Sequence, residues 1–472
     1  MVEPDERVSS LLFSLLKGKG RKGNALSTDI GGFPRAYPAE ACRAGKHYSR
    51  VSRMQPAPVM KAPDFAPNAQ HASLRLLHVT QAYYPFLDTG GPAAKVWAIA
   101  KGLAQRGHHI TVLTADLGFG HPEGPIPSAD RNLWGWRIER DGVETIYLRT
   151  WIRYRALTLN PGMLSFARGQ LAGFDLVHIY GLYDLLGSTV GHFCLRRRIP
   201  YVIEPMGMYR PIVRNLWLKR MYRHLLGERL VRGSRRVIAT SQQEARELAE
   251  EGIPEGQVFV RRNGIEVPRS LPEPGRFRRQ WGIAPEMKLI LFLGRLVSKK
   301  SPDLLLEAYA RWREAGGKGM ASVVALAGPE EGDGYLGKIK TLSQRLGLRE
   351  NVLFTGPLYD DAKWAAYCDA DIFVLPSQHE NFGNTAAEAI ACGTPVIITD
   401  RCGIAPLVSG RAGIVIPHNV ADLAAAIGRL LGDETLREQY RAGSGEVARG
   451  LSWDEPLTRM EDLYRELVAG KV

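Results

Sequence analysis

Short apolar runs alternate with longer amphipathic stretches along most of the chain, a pattern typical of parallel strands and their crossover helices. In the first half, helices are predicted at Ala93–Gln105 and after the capping box Ser241-Gln242-Gln243-Glu244. The strands predicted in this half are Leu74–Thr80, Ile110–Ala115, Val143–Arg149, Leu176–Tyr180, Tyr201–Glu204, Val237–Thr240 and Val258–Arg261.

The alternation stops in residues 269–286, which are rich in Pro and Gly and which we interpret as a linker. It resumes with strands predicted at Leu289–Leu293, Ser322–Ala327, Val352–Thr355, Ile372–Leu375 and Val396–Thr399. Helices are predicted from Ser301-Pro302, near Lys338–Leu346, near Thr385–Ala391 and from a second capping box at Ser452.

Two such series predict an α/β protein with two Rossmann-like, doubly wound parallel sheets that face each other across a cleft. We place the first domain at residues 74–268 and the second at residues 287–450, followed by a helical segment at residues 451–472. Ligands of open parallel sheets bind at the carboxyl ends of the strands, so the cleft is the expected site.

The first 73 residues differ from the rest of the chain. They hold 11 Lys and Arg against 6 Asp and Glu, with recurrent Pro and Gly and no sustained periodicity. We interpret residues 1–73 as a basic, mostly disordered extension, and the alternative is a basic anchor.

Composition narrows the classes of protein. The 472 residues are 45% hydrophobic and 24% charged, which excludes collagen-like and wholly disordered chains. The net charge of +13 (62 − 49) favours polyanionic partners such as phosphorylated ligands or an anionic membrane. No nucleic-acid-binding motif accompanies this charge, so nucleic acid is not expected as a partner. Five cysteines without metal-ligand spacing predict a cytoplasmic protein, with peripheral attachment to the cytoplasmic face of the membrane as the alternative.

The richest stretch for chemistry joins a predicted strand to a predicted helix. Glu380 lies in the loop, Gly383 ends the loop, and Glu388 follows about one turn into the helix. The helix N-terminus offers unpaired N–H groups to an anion. One carboxylate can therefore lie beside a bound sugar while the other accepts hydrogen bonds from a ribose. An isolated pair of this spacing is ordinarily solvated, so the flanking residues decide its interpretation.

This stretch resembles the retaining glycosyltransferases of family 4 (group 1), which have the two-domain GT-B fold. Their signature places two glutamates seven residues apart within P-S-x-x-E-x-F-G and E-A-x-A-x-G-x-P-V. The residues that match it are Glu380, Glu388, Pro376, Ser377, Phe382, Gly383, Ala389, Gly393 and Pro395. Gly294-Arg295-Leu296 with Lys300 resembles a second family motif, in which Ser301 replaces the usual Gly.

The resemblance covers about Leu76 to Leu467 and implies roles for individual residues. It implies that Arg295 and Lys300 bind the diphosphate of a nucleotide sugar, that Glu380 positions the sugar, and that the C-terminal helix crosses back to the first domain. The donor-binding residues it implies are Glu388, Gly90, Gly91, Phe382, Gly383, Asn384, Thr385 and Leu358. No metal or other cofactor is expected, and Asp369-Ala370-Asp371 is interpreted as structural.

One departure concerns the first domain. Met206 stands in Glu204-Pro205-Met206-Gly207-Met208, where many family members have a His near the reacting carbon. His178, near the end of the preceding strand, is a candidate catalytic residue that could reach the same cleft. The alternative is a structural histidine at the end of a strand.

A basic amphipathic segment follows this loop. Residues 209–236 hold nine Lys and Arg against one Glu, interleaved with Leu, Trp, Met and Tyr. Such a segment can lie on an anionic membrane, each basic residue contributing about 1 kcal/mol near the surface. The alternative is a solvated helix whose apolar face packs on its own domain.

Together these features predict an enzyme that transfers a sugar from a nucleotide-diphosphate donor to a hydroxyl, with a glycan or lipid-linked sugar of the cell envelope as acceptor. Other GT-B reactions, such as sucrose-phosphate or glycogen synthesis, stay open. The alternative from another class is a non-catalytic protein that binds membranes or polyanions on a degenerate GT-B fold.

Overall fold

The computed structural model describes residues 72–85, 91–116, 130–154, 157–210, 216–332 and 334–470. The predicted extension lies outside these ranges except for its last two residues. The described chain forms two α/β lobes, each built on one large sheet. This confirms the predicted fold class.

The first lobe contains a nine-stranded sheet and a separate hairpin of two short strands. Its strands are β1 (Arg75–Val79), β2 (His109–Ala115), β3 (Asp130–Arg131), β4 (Gly135–Arg140), β5 (Val143–Leu148), β6 (Ile152–Tyr154), β7 (Leu157–Leu159), β8 (Leu176–Tyr180), β9 (Tyr201–Glu204), β10 (Arg236–Ala239) and β11 (Val258–Val260). The order is β11-β10-β9-β8-β1-β2-β5-β4-β3, and β6 pairs with β7. All neighbours in the large sheet are parallel except β3–β4 and β4–β5.

The helices of the first lobe follow the strands as crossovers. They are α1 (Gly91–Gln105), α2 (Gly162–Gly169), α3 (Leu185–Arg197), α4 (Leu216–Tyr222), α5 (Glu228–Arg232) and α6 (Gln242–Glu250). A π-helical turn, Arg223–Gly227, separates α4 from α5. The described part of the predicted amphipathic segment is thus one helical run from Leu216 to Arg232 with a π-helical turn in it, and residues 211–215 lie outside the described residues.

The second lobe is a six-stranded, fully parallel sheet in the order β14-β13-β12-β15-β16-β17. The strands are β12 (Lys288–Leu293), β13 (Ser322–Ala327), β14 (Val352–Gly356), β15 (Ile372–Leu375), β16 (Val396–Thr399) and β17 (Gly413–Ile416). The helices are α7 (Arg276–Trp281), α8 (Pro302–Glu314), α9 (Tyr335–Arg345), α10 (Asp360–Asp369), α11 (Asn384–Ala391), α12 (Ala405–Val408), α13 (Val420–Gly432) and α14 (Glu434–Arg449).

The apolar run of β12 explains why this sheet is buried on both faces. Successive side chains of a strand point to opposite faces. Leu289 and Leu291 accordingly pack into one apolar core of the lobe, while Ile290 and Phe292 pack into the other. A strand covered by helices on both sides needs apolar residues at every position.

The predicted linker contains structure of its own. Helix α7 lies within it, and Phe277 of this helix is buried in a core of the second lobe. Arg278 of the same helix pairs with Asp371 at 2.8 Å. Residues 269–286 therefore contain a short helix that packs against the second lobe, although their composition is rich in Pro and Gly.

The last helix, α15 (Asp454–Val468), packs against α1 and β8 of the first lobe. Leu457, Met460, Leu463, Tyr464 and Leu467 of α15 join the apolar core that contains Leu76 and Val96. The chain thus ends on the lobe with which the described residues begin.

Candidate active site

The predicted cationic residues and Glu380 follow two adjacent strands. In the second sheet the strand order reverses between β12 and β15, which pair in parallel. Arg295 and Lys300 follow β12, and Glu380 follows β15. Their loops therefore leave the same edge of the sheet at its topological switch point, where open α/β sheets bind ligands.

Lys300 and Glu380 form an ion pair across these two loops. The backbone joins the loops as well, because Gln378 donates its N–H to the Lys299 carbonyl at 2.9 Å. Burial opposes the charge of Glu380, but Lys300 outweighs this effect and lowers the pKa of that carboxyl below its usual value. Glu380 is thus ionised at neutral pH and can accept hydrogen bonds.

Arg295 lies nearer the solvent. Its guanidinium is half exposed and pairs with Glu331, which follows β13. Leu358, two residues after β14, is partly buried and packs against a core of the second lobe. Both residues therefore lie near the carboxyl edge of the sheet, as the sequence predicts, and their ligand contacts stay predictions.

Glu388 lies on α11 and is held by two residues of α10. Lys363 Nζ is 2.8 Å from Glu388 Oε1, and the Tyr367 hydroxyl donates to Oε2 at 2.9 Å. Burial and the Glu388 charge raise the pKa of Tyr367 well above its usual value. A carboxylate fixed in this way has a defined orientation toward a ligand.

The N-terminus of α11 has no side-chain cap. Gly383 occupies the capping position with a φ of 106°, a conformation that favours glycine. Thr385 lies in the first turn and is partly buried. Phe382 is buried in the second-lobe core, and its carbonyl accepts the Ile404 N–H at 2.8 Å. The contribution of Phe382 seen here is packing, and its donor contact stays a prediction.

Asn384 connects the helix to the first lobe. Asn263 Nδ2 donates to Asn384 Oδ1 at 3.1 Å, and a Cβ on Gly91 would lie 3.6 Å from Asn384 Nδ2. The structure therefore brings Gly91 and Asn384 together, and their contacts with a donor stay predictions. Gly90 lies outside the described residues.

His178 is fully buried in the first lobe. Its Nδ1 lies 2.6 Å from the Tyr464 hydroxyl of α15, and its ring stacks on Tyr180 at a centroid distance of 3.8 Å. Burial, together with the nearby positive charges, lowers the pKa of His178 well below its usual value. These contacts favour the structural interpretation of His178 over the catalytic one.

A buried charge cluster, Lys95, Glu204 and Arg261, lies beside His178. Lys95 pairs with one carboxylate oxygen of Glu204, and Arg261 Nη2 lies 2.7 Å from the other. Burial opposes ionisation, yet Arg261 and Lys95 lower the pKa of Glu204 below its usual value. The Arg261 guanidinium also lies over the Trp453 ring at 5.6 Å.

Met206 follows Glu204 and begins a tight loop. Met206 and Gly207 have φ values of 52° and 69°. The Gly207 N–H donates to Glu244 Oε1 at 2.6 Å. The backbone of this loop is thereby fixed to α6.

Ser301 was predicted to cap the helix that follows it. It precedes α8, but its side chain does not form a capping hydrogen bond. Its φ is 49°, and its hydroxyl lies 3.0 Å from His418 Nε2. The second predicted capping box is shifted, since α15 begins at Asp454 and Ser452 accepts the Asp454 N–H at 3.3 Å. Ser241, by contrast, accepts the Glu244 N–H at 3.1 Å, which confirms the first capping prediction.

The D-x-D sequence Asp369-Ala370-Asp371 binds groups of the protein. Asp369 accepts the N–H groups of Gly275 and Arg278, while Asp371 pairs with Arg278 and Lys288. Within the described residues no cluster of three His, Cys, Asp or Glu side chains is arranged to hold a metal ion. In the same part of the chain no helix has the length and apolar character needed to cross a membrane.

Sequence reasoning missed the side chains that hold the predicted residues in place. These are Lys363, Tyr367, Glu331, Glu244, Glu247, His379 and Asn381. His379 and Asn381 flank Glu380, so the motif itself contained a signal for them. The others lie in separate segments, and nothing in their spacing relates them to the motif.

Two family models match the chain. The model for glycosyl transferases group 1 matches residues 275–445, and the model for a glycosyl transferase 4-like domain matches residues 90–264. A D-inositol 3-phosphate glycosyltransferase of Thermomonospora curvata is 30% identical over 399 residues, which covers 80% of this chain and 90% of the relative. The chain belongs to the group 1 glycosyltransferases. It is therefore an enzyme, which decides against the non-catalytic alternative.

Solved structures show the same GT-B fold as this glycosyltransferase. A sucrose-phosphate synthase of Thermosynechococcus elongatus superimposes with a TM-score of 0.66 at 22% identity, covering 84% of this chain and all of that one. HepE of Anabaena, solved with UDP and glucose, gives a TM-score of 0.65 at 18% identity and covers 83% of this chain and all of that one.

Proposed function

We propose that this glycosyltransferase moves a hexosyl group from a UDP-sugar to an acceptor hydroxyl with retention of configuration. The observation that carries the proposal is the convergence of Arg295, Lys300, Glu380 and the uncapped N-terminus of α11 at the switch point of the second sheet. The UDP and glucose bound in the HepE structure support this choice of donor.

Each charged group has a part in the reaction. As the glycosidic bond breaks, negative charge grows on the departing diphosphate, and Arg295, Lys300 and the N–H groups of α11 offset it. Ionised Glu380 accepts a hydrogen bond from a donor sugar hydroxyl, and Glu388 accepts hydrogen bonds from the ribose. The acceptor hydroxyl attacks from the face that the diphosphate leaves and passes its proton to an oxygen of the departing diphosphate. Attack from that face retains the configuration.

Lys300 and Glu380 are paired with each other in this structure, so the donor has to enter between them. On binding, Lys300 turns to the diphosphate and Glu380 to the sugar. Closure of the cleft then excludes water, so that transfer is favoured over hydrolysis of the donor.

For the acceptor we favour a lipid-linked or cell-envelope glycan at the cytoplasmic face of a membrane. Exposed apolar residues of the first lobe support this acceptor: Trp217 on α4 is 65% exposed and Leu225, in the turn after it, is 53% exposed. Arg220 is exposed among them, whereas Arg223 pairs with Glu251 at 2.6 Å. A surface of apolar and basic side chains binds anionic membranes because the apolar side chains are buried in the lipid and the basic side chains are attracted to the anionic headgroups. Leu230 and Val231 of the same segment are buried, so it also packs on its own lobe.

A phosphorylated polyol or sugar is the second candidate acceptor. The names of the relatives favour it, since one is a D-inositol 3-phosphate glycosyltransferase and a structural neighbour is a sucrose-phosphate synthase. A phosphorylated acceptor also suits the net charge of +13.

The donor is tested by thermal unfolding with UDP, GDP, ADP and their sugar conjugates. A ligand at roughly 100 times its Kd adds about 2.7 kcal/mol of stability. We expect UDP and its sugar conjugates to stabilise the wild type and to have no effect on the stability of Arg295→Ala/Lys300→Ala. The control, Lys318→Ala/Arg349→Ala, removes two exposed cations of the same lobe and should respond like the wild type.

Absence of stabilisation by every nucleotide, with the protein folded, would contradict the proposed donor class. The acceptor is then tested with the stabilising nucleotide sugar. Product on lipid-linked acceptors in anionic vesicles supports the favoured acceptor, whereas product on inositol phosphate or a hexose phosphate supports the second.

A further inference from the structure

The two residues that flank Glu380 both reach the other lobe. His379 Nε2 lies 2.8 and 2.9 Å from the two carboxylate oxygens of Glu247. Asn381 Nδ2 donates to Glu244 Oε1 at 3.0 Å. Glu244 and Glu247 are three residues apart on α6 and so share one face of that helix. We call these two contacts the α6 clamp. Glu380, between its arms, pairs with Lys300 of its own lobe.

The Glu244 arm of the clamp is fixed by the first lobe. The Glu244 side chain is buried, and its Oε2 accepts the N–H and the hydroxyl of Thr240, both at 2.8 Å. Its Oε1 accepts the Gly207 N–H at 2.6 Å. The carboxylate is therefore oriented by groups of its own lobe, and the same Oε1 receives the Asn381 amide.

The packing around Asn381 is equally close. A Cβ on Gly207 would overlap the Asn381 side chain, and a Cβ on Gly403 would overlap the Asn381 carbonyl. Asn381 thus lies between a glycine of the Met206 loop and a glycine of its own lobe. This fit leaves little freedom for the segment that carries Glu380.

We propose that Glu244 and Glu247 are positioning residues that fix the Glu380 loop for sugar transfer only when the lobes are closed. The inference rests on the proposed function, because it assumes that Glu380 contacts the donor sugar. Both arms join the lobes, so opening the cleft breaks them together and releases the loop on both sides of Glu380. Closure of the cleft re-forms both contacts and fixes the loop again. The catalytic geometry is therefore complete only when the closed cleft also excludes water.

The test compares Asn381→Ala and Asn381→Asp with the wild type. Both variants keep Arg295, Lys300 and Glu388, so the Kd for UDP should stay within about twofold. A displacement near 1 Å at a reacting group can cost about 100-fold in rate. We expect kcat with UDP-glucose, or with the nucleotide sugar that stabilises the wild type, to fall roughly 10- to 100-fold in Asn381→Ala.

The aspartate variant separates the clamp from simple packing. Asp has nearly the shape of Asn but brings a second carboxylate against Glu244. The clamp therefore predicts that Asn381→Asp is at least as impaired as Asn381→Ala, whereas a packing role predicts that it is nearly active. For the other arm, His379→Gln keeps a donor toward Glu247 and should retain more activity than His379→Ala.

Arg246→Ala, on the exposed face of α6, is the matched control and should keep the wild-type kcat. The inference is overturned if Asn381→Ala keeps kcat within about twofold, or if Asn381→Asp is more active than Asn381→Ala. Failure of the proposed function looks different, because the wild type itself would then bind no nucleotide sugar.

Discussion

The two lobes share a doubly wound sheet but use their charged residues differently. In the second lobe, Lys300 pairs with Glu380 and Lys363 pairs with Glu388, and all four side chains are only partly buried. In the first lobe, Glu204 and Arg261 are fully buried beside His178. In our proposal the pairs of the second lobe serve binding, whereas the buried cluster of the first lobe is internal structure. Mutation should separate them, since changes in the buried cluster should affect folding and changes at Lys300, Glu380 or Glu388 should affect ligand affinity.

The largest effect is expected from Glu204→Gln. This change leaves Lys95 and Arg261 buried without their carboxylate, and breaking a buried pair costs about 3–5 kcal/mol. The free energy of unfolding, measured in urea, should fall by this amount. Glu266→Gln is the control in the same lobe, because its pair with Lys101 is partly exposed and worth about 0–1 kcal/mol. Equal losses in the two variants would show that burial of the Glu204 cluster does not set its contribution to stability.

The second test is the pH dependence of stability. Burial lowers the pKa of His78 to about 3, while the unfolded chain has the ordinary value of 6.5. As pH falls below 6.5 the unfolded state binds the proton first, so stability decreases until the pH nears 3. At pH 5 the loss is about 2 kcal/mol for this histidine. His178 acts in the same direction.

The measurement is the free energy of unfolding at pH 7 and pH 5 for the wild type, His78→Asn and His109→Asn. His78→Asn should reduce the dependence on pH, whatever its effect on stability at pH 7. His109 is exposed, and its variant should keep the wild-type slope. An unchanged slope in His78→Asn would show that His78 does not contribute to acid sensitivity.

The smallest effect is expected from Tyr367→Phe in the second lobe. It removes one of the two hydrogen bonds that orient Glu388 and should cost about 1 kcal/mol of UDP binding, roughly a fivefold rise in Kd. Calorimetric titration with UDP measures this change. Tyr359→Phe changes an exposed tyrosine of the same lobe and should bind like the wild type. Identical Kd values for the two variants would argue against a ribose contact by Glu388.

The regular strands could be predicted from the sequence because they are buried on both faces and read as continuous apolar runs. Strands β3, β4, β6 and β7 were missed, since they are short or have mostly polar and partly exposed residues. Strand β17 was missed as well, although its four residues, Gly-Ile-Val-Ile, are apolar. Helix α7 was not predicted, because the Pro and Gly residues around it indicate a linker. Its stability comes from Phe277 in the core and from Arg278 on Asp371, which lies 93 residues later.

The site divides in the same way. The family motifs imply Arg295, Lys300, Glu380 and Glu388, because each motif is a short stretch of sequence, and the ligand contacts of these residues stay predictions. The burial of His178 could not be predicted, since it depends on Tyr464, 286 residues away. The left-handed Ser301 shows a similar limit, because a serine before a proline does not reveal its own backbone conformation.

The position of α15 has a consequence for how the protein is made. Synthesis runs from the first lobe to the second, yet the first lobe needs Tyr464 and the apolar face of α15 to cover its core. While the second lobe is being translated, the flank of the first lobe around Leu76, Val96 and His178 lacks the cover that α15 provides. The lobe that leaves the ribosome first is therefore the last to be completed.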